Sequence, residues 1–159
     1  MTASANTSES SVIRIDDKQS AGRSILNLAQ VLEMLPPSAA ALVWAVQDLS
    51  VSGVSRPGLD VHELEAQTKR APSGLVLSWV DLLALARRLT QVQEGVIIGS
   101  QDRDHMPPVG AESAVLANYP VVLEAVDSSY WLVHAVDPNL RLLLAKAFAN
   151  VRAASVSDL

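Results

Sequence analysis

The chain has 159 residues, a hydrophobic fraction of 49% and a formal net charge of −5. The apolar fraction excludes a disordered chain, and the absence of cysteine excludes disulfide scaffolds, cysteine zinc sites, iron–sulfur clusters and thiol nucleophiles. The excess of acidic residues argues against nucleic-acid binding, because Lys and Arg supply most of the affinity for phosphate.

The length predicts a single domain, since domains typically run to about 100–150 residues. We expect this domain to span residues 12–152, with a disordered tail at 1–11 and a frayed end at 153–159. The tail is small, polar and rich in Ser and Thr, without the basic and apolar regions of a secretory signal. No window holds the ~18 unbroken apolar residues of a membrane helix, so the cytoplasm is the expected compartment.

The first half of the chain predicts two strands and two helices from apolar spacing and from residues that begin or stop helices. In chain order these are a short edge strand at 12–15, a helix at 25–35 capped by Ser24, a strand at 41–51, and a helix at 61–70 capped by Asp60.

The second half contains the clearest helix and a hairpin pattern. In chain order it predicts an extended piece at 75–77, a helix at 79–88 capped by Ser78, a strand at 96–98, a long loop at 100–118, a hairpin of 121–126 with 130–136, and a helix that follows Asp137-Pro138. Consecutive strands with helices on either side indicate an α+β fold. We therefore expect a mainly antiparallel sheet of about four strands, including a C-terminal β-hairpin, packed with about four helices.

Acidic residues are concentrated in one segment of the chain. Residues 93–137 hold seven acidic and one basic side chain, whereas residues 138–159 hold three basic and one acidic. Such a distribution suits a basic protein partner, although mild acidity also serves solubility alone.

Catalytic motifs are absent from the sequence, and the three histidines stand apart from one another. Asp102-Arg103-Asp104-His105 is the most ligand-like group, but it lacks the remaining ligands of a cation site, and a solvated loop is favoured. His62 and Glu65 lie one helical turn apart, which more often indicates an exposed helix face. His134 alternates with apolar residues and is typical of a hydrogen-bonded structural histidine. We expect no metal and no cofactor.

Tyr130 and Trp131 are adjacent on a predicted strand, so their side chains point to opposite faces of the sheet. One of them belongs in the core. The other lies under the long loop or at a rim, where Tyr and Trp are strong contact residues.

Two stretches together resemble a known class of protein. A helix at 78–86 continues through the Gln91–Gly99 turn and strand, and Asp127-Ser128-Ser129-Tyr130-Trp131 opens the hairpin. This pattern, over roughly residues 75–151, is similar to small cytoplasmic bacterial immunity proteins that neutralise secreted toxins. The resemblance implies an inhibitor that binds a toxin through an acidic surface, with no catalytic residue of its own.

The sequence thus predicts a non-enzymatic protein-binding module that occludes the active site of a basic toxin domain. The alternatives are a subunit of a larger cytoplasmic assembly, which allows oligomers, and a small metal-dependent hydrolase that uses loop 102–105. No nucleic acid and no membrane are expected as partners. The predicted partner-binding residues are Asp102, Asp104, Glu124, Asp127, Tyr130 and Trp131.

Overall fold

One antiparallel sheet of seven strands organises the part of the chain that the computed structural model describes, residues 11–19, 25–54 and 58–159. The strands are β1 (Val12–Ile15), β2 (Val43–Val54), β3 (Leu75–Leu77), β4 (Leu89–Ser100), β5 (Val121–Val126), β6 (Tyr130–Ala135) and β7 (Val151–Ala154). Their order across the sheet is β3-β2-β4-β5-β6-β1-β7.

Five α-helices accompany the sheet in the described residues. They are α1 (Leu28–Glu33), α2 (Val61–Arg70), α3 (Trp79–Ala86), α4 (Ser113–Leu116) and α5 (Pro138–Ala147). Short 3-10 turns occupy Pro37–Ala41, Arg103–His105 and Val156–Asp158.

The predicted class, α+β, agrees with this architecture, but the prediction of about four strands is wrong. Three of the strands, β1, β3 and β7, are only three or four residues long and carry little periodicity of their own. The segment predicted as an edge strand at 12–15 lies inside the sheet, between β6 and β7. These short strands exist because neighbouring strands pair with them, which a local pattern does not reveal.

Local capping signals place the helices. The Asp60 carboxylate accepts a hydrogen bond from the Glu63 N–H (3.1 Å) at the start of α2, and the Ser78 hydroxyl accepts one from the Asp81 N–H (3.2 Å) at the start of α3. Both caps were predicted. The predicted cap of the first helix, Ser24, lies outside the described residues, and α1 begins instead with a capping box at Asn27.

The main hydrophobic core covers one face of the sheet. Trp44 of β2, Leu123 of β5 and Trp131 of β6 are fully buried there, and α1, α3 and α5 contribute apolar side chains to the same cluster. A smaller cluster on the opposite face joins Ile98 and Val122 to Leu116 of α4. The residues that cover this part of the second face therefore come from the short helix α4 and from loops rather than from a long helix.

The two ends of the predicted domain behave differently from the prediction. Residues 153–159 were expected to fray, but β7 extends to Ala154 and a 3-10 turn follows at Val156–Asp158. Residues 1–10 of the predicted tail lie outside the described residues. Ser11 is tied to β6, because its carbonyl accepts from the Ala135 N–H (3.1 Å).

Candidate functional site

A β-bulge in β2 turns one carboxylate away from the core. Gln47 pairs with Val96 and Ser50 pairs with Glu94, so β2 has one more residue than β4 between these pairs. The extra length is absorbed at Asp48, whose φ of 50° lies in the left-handed region that Asp tolerates better than most residues. Asp48 is exposed as a result.

A glycine, Gly95, lies opposite this bulge. A Cβ atom built on Gly95 would lie 3.0 Å from Cδ1 of Leu49, the fully buried neighbour of Asp48. The missing side chain therefore gives Leu49 the room to reach the core, and the same local geometry leaves Asp48 on the outside.

The tight turn of the β5–β6 hairpin brings a second carboxylate to the same end of the sheet. Asp127 and Ser128 both have positive φ (46° and 54°), and the Ser129 N–H donates to the Val126 carbonyl at 2.8 Å, as in a type I′ turn. The Ser128 N–H donates to the Gln93 carbonyl at 2.9 Å, which fastens the turn against β4. The hairpin itself was predicted from the sequence.

Four carboxylates meet at this end of the sheet around a cavity of about 210 Å³, which we call the acidic hollow. Its acidic members come from β2, β4, β5 and the hairpin turn, and its remaining lining is apolar or glycine. The residues of the acidic hollow are Asp48, Glu94, Gly95, Val96, Glu124, Ala125, Val126 and Asp127.

Glu124 is the most unusual member of the acidic hollow. One of its carboxylate oxygens, Oε2, is buried and has no hydrogen-bond partner among the described residues. Burial raises the pKa of the Glu124 carboxyl, and the negative charge of Glu94 raises it further. A buried acceptor without a donor destabilises a fold by about 1–3 kcal/mol. A cationic donor brought to the acidic hollow from outside would remove that penalty.

The other predicted acids, Asp102 and Asp104, lie beyond the opposite end of β4. Asp102 accepts hydrogen bonds from the Asp104 N–H (2.9 Å) and engages Nδ1 of His105 (2.5 Å). These two interactions, the backbone one first, lower the pKa of Asp102. The carboxylate is thus already satisfied within its own turn, which is a local structural role.

A cavity of about 410 Å³ lies beside this turn. Its wall includes Tyr119, whose hydroxyl donates to the His105 carbonyl at 2.7 Å. In the described residues, no group of three or more His, Asp or Glu side chains is arranged to hold a metal ion. The cluster at 102–105 therefore offers two mutually bonded side chains and not the ligand set that the hydrolase alternative needs.

Tyr130 and Trp131 point to opposite faces of the sheet, as predicted. Trp131 is 0% exposed, and its indole N–H donates to the Leu26 carbonyl at 2.8 Å. This burial removes Trp131 from the predicted partner surface. Tyr130 is half-buried on the other face, where the guanidinium carbon of Arg14 lies 3.6 Å from the centre of its ring.

The six predicted partner residues therefore do not form one surface. Glu124 pairs with Val96 across β4 and β5, and Asp102 lies six positions after Val96 in the chain. At about 3.3 Å per residue, the two acidic groups are roughly 20 Å apart. Glu124 and Asp127 share the acidic hollow, Asp102 and Asp104 share the distant turn, and Trp131 belongs to the core.

Two members of the acidic hollow were not among the predicted site residues. Glu94 was counted only as part of the acidic segment, and Asp48 lies outside that segment. The pairing of β2 with β4 brings them together, and the bulge turns Asp48 toward the hollow. The one available signal was Glu94-Gly95, an acid next to a glycine inside an apolar strand, which often marks a bulge.

The structure shows the surroundings of the other two histidines, His134 and His62. His134 is buried, with Nε2 3.1 Å from the Tyr119 carbonyl and Nδ1 3.0 Å from the Ser11 hydroxyl, which makes it a hydrogen-bonded structural histidine. His62 is exposed on α2, whereas Glu65 accepts the Val51 N–H at 2.9 Å. Glu65 thus supports the end of β2.

Comparisons with known proteins add no family to this description. No family model, no curated protein and no solved structure matches the chain. None of the helices within the described ranges has the length and apolar character needed to cross a membrane.

Proposed function

We propose that this chain is a non-enzymatic protein-binding module that acts in the cytoplasm as an immunity-type inhibitor, and that the acidic hollow is the centre of its binding surface. The partner is a basic toxin domain, whose active site the module covers. The observation that carries this proposal is the buried Oε2 of Glu124, which has no hydrogen-bond donor among the described residues.

A lysine or arginine of the partner is the group that suits this position. Either side chain donates hydrogen bonds to a carboxylate, and charge-assisted bonds of this kind are about twice as strong as neutral ones. Insertion of such a side chain would give Glu124 the missing donor and favour the charged form of its carboxyl. The free protein therefore holds an unfavourable group that a basic partner would make favourable.

The three exposed acids around Glu124 give the same surface a second role. Asp48, Glu94 and Asp127 are solvent-exposed, so they contribute little stability through ion pairs but act on a partner at a distance. Clustered charge of one sign raises the association rate with an oppositely charged protein, and the rate then falls with salt. Steering by the exposed acids and anchoring by Glu124 are separable contributions.

The proposal is tested with purified basic toxin domains as candidate partners. The variant pair Glu94→Lys with Asp127→Lys should lower the association rate about tenfold at low salt and flatten its salt dependence. The matched control, Asp102→Lys with Asp104→Lys, changes net charge by the same amount roughly 20 Å away. It should leave the rate close to that of the unmodified protein.

Equal effects of the two pairs would show that net charge, not the acidic hollow, governs association. A toxin that stays fully active in cells that express this chain, and that shows no binding in solution, would refute the immunity role.

A second candidate, a subunit of a larger assembly, is favoured by one observation. Val136, Leu142 and Leu143 are exposed apolar residues on and beside α5. Light scattering of the isolated chain separates the candidates, because an oligomer that covers these residues would not be a monomer.

A further inference from the structure

A groove of about 300 Å³ lies at the β7 edge of the sheet, between α5 and β7, and we call it the edge groove. Its lining is apolar except for two arginines, and no carboxylate takes part. The residues of the edge groove are Val12, Ile13, Pro138, Arg141, Leu142, Ala145, Ala149, Val151, Arg152 and Ala153.

Hydrogen-bonding groups of β7 face outward along this groove. The Asp16 N–H donates to the Asn150 carbonyl at 2.9 Å. With the register of the antiparallel pair, this bond shows which residues of β7 hydrogen-bond to β1. In an antiparallel pair, residues alternate between bonding the neighbour and facing away. The N–H and C=O groups of Val151 and Ala153 therefore point away from β1, and β7 has no second neighbour among the described strands.

The wall opposite β7 is an exposed apolar side of α5. Leu142 is 54% exposed and Ala145 is also exposed. Arg141 donates to the Ala135 carbonyl at 2.6 Å, which holds its guanidinium beside the groove. Arg152 pairs in register with Arg14 on the face of β7 away from α5, and its largely exposed guanidinium shares the Asp16 carboxylate (3.3 Å) with that of Arg14 (2.7 Å), so two arginines meet one aspartate there. The groove thus combines apolar walls, positive charge and an open strand edge.

We propose that the edge groove binds an extended peptide segment of a partner, which adds a strand to β7 and alternates apolar with acidic residues. Backbone groups of Val151 and Ala153 would hold the peptide main chain, and apolar side chains would contact α5. The alternate side chains, the carboxylates, would lie on the other face of the sheet and meet Arg152. Charge complementarity selects the acidic sequence. The site is independent of the acidic hollow, which has the opposite charge and lies on other strands.

A second copy of this chain suits the edge groove less well. Antiparallel pairing of β7 with the same strand of a copy would bring two positively charged grooves together, with Arg152 of each near the other. Like charges at a strand interface are destabilising. The acidic peptide brings the opposite charge to the same backbone groups.

The test uses a dye-labelled eight-residue peptide that alternates valine with glutamate, titrated with the full chain while fluorescence anisotropy is recorded. We expect saturable binding that is at least about tenfold tighter than that of the same peptide with lysine in place of glutamate. Equal binding of the two peptides, or no binding of either, would overturn the proposal.

Variants assign the binding to the edge groove. Ala153→Pro removes one outward N–H on a strand edge where proline is tolerated, and Leu142→Glu places a negative charge on the opposite wall. Each should weaken binding of the glutamate peptide about tenfold or more, a change that corresponds to about 1.4 kcal/mol. Val80→Glu, on a residue of α3 that is 73% exposed, is the control and should bind normally.

Circular dichroism checks that each variant is folded, and Leu142→Glu decides the question if Ala153→Pro is not. Undiminished binding to Leu142→Glu would place the peptide elsewhere. Concentration-dependent dimerisation that Ala153→Pro abolishes would show that a second copy occupies the edge groove, and would equally overturn the proposal.

Discussion

The acidic hollow and the turn at 102–105 contain the same kinds of side chain but differ in what those side chains contact. In the turn, Asp102 accepts bonds from the Asp104 N–H and from His105, and it remains exposed. In the hollow, a buried oxygen of Glu124 has no donor among the described residues. The comparison teaches that acidic residues indicate a binding surface when their partners are missing, and a structural role when the partners are supplied locally.

The largest expected effect is a loss of stability on substitution of Trp131, in the strand β6 that pairs with β5 of the acidic hollow. Trp131 pairs with Ala125 on β5 and with Ile15 on β1, so it holds the hairpin to the rest of the sheet from the core side. Trp131→Ala should lower the free energy of unfolding by about 3–5 kcal/mol. Chemical denaturation checks this value.

Trp131→Phe is the control, since it keeps most of the apolar volume and loses the bond to Leu26. Trp131→Phe should lower the free energy of unfolding by clearly less than Trp131→Ala does. A similar cost for the two would show that the hydrogen bond, not packing, makes Trp131 important.

His134 connects the same sheet to the turn cluster. Its Nε2 carries the proton donated to the Tyr119 carbonyl, because a carbonyl only accepts, and Nδ1 accepts from the Ser11 hydroxyl. Removal of both bonds in His134→Ala should cost about 2 kcal/mol, at about 1 kcal/mol per bond. Urea denaturation at neutral pH measures this loss.

The pH dependence of stability distinguishes His134 from the exposed histidines. Burial lowers the pKa of His134, so the unfolded chain binds the proton more readily than the folded one. This contribution to stability is therefore complete above the ordinary histidine pKa of about 6.5, and it is lost as the pH falls below it. His134→Ala should lack this loss, whereas His62→Gln on the surface of α2 should retain it.

A smaller effect, of opposite sign, is expected at Glu124. Its raised pKa means that the folded chain binds a proton more readily than the unfolded one. The stability linked to Glu124 is thus greatest below the pKa of an ordinary glutamate and is lost as the pH rises through the raised value. Glu124→Gln should remove this loss, because an amide does not titrate. It should also raise the free energy of unfolding at pH 7 by about 1 kcal/mol, because an uncharged amide costs less to bury than a carboxylate without a donor.

The same substitution, Glu124→Gln, should weaken binding of the proposed partner. A gain in stability with about a tenfold loss in affinity is the combination expected of a group kept for binding at the expense of the fold. Asp127→Asn is the matched control, because this exposed acid should affect the association rate, and asparagine tolerates the left-handed backbone of this position with little change in stability. Loss of stability in Glu124→Gln would mean that the carboxyl has a structural role.

Several features with a local cause were predictable from the sequence, although the capping box at Asn27 was missed, whereas features with a distant cause were not predictable. Asp60 and Ser78 cap helices through residues three positions away, and the turn at 127–129 closes on itself, so each leaves a short pattern. The short strand β7 exists through its pairing with β1, more than a hundred residues earlier. That pairing accounts for the predicted fraying and for one of the strands missing from the predicted count.

The candidate site shows the same limit. Glu124 and Asp127 were predicted because both lie near one hairpin. Asp48 joins them only through the register of β2 on β4 and through one bulge, and its own neighbourhood in sequence is polar and unremarkable. Burial of a single carboxylate oxygen depends on all of these strands at once, so no pattern of residue types could have indicated it.

The smallest expected effect completes the comparison at the turn. Asp102→Asn keeps an acceptor for the Asp104 N–H and loses only the charge that faces His105, while both side chains stay in solvent. Interactions between exposed groups contribute little because water and salt screen them. We expect neither the denaturation midpoint nor the affinity for the proposed partner to change measurably, whereas Glu124→Gln changes both. A loss of affinity in Asp102→Asn would move the binding surface from the acidic hollow to the turn, because the two acids are too far apart for one to report on the other.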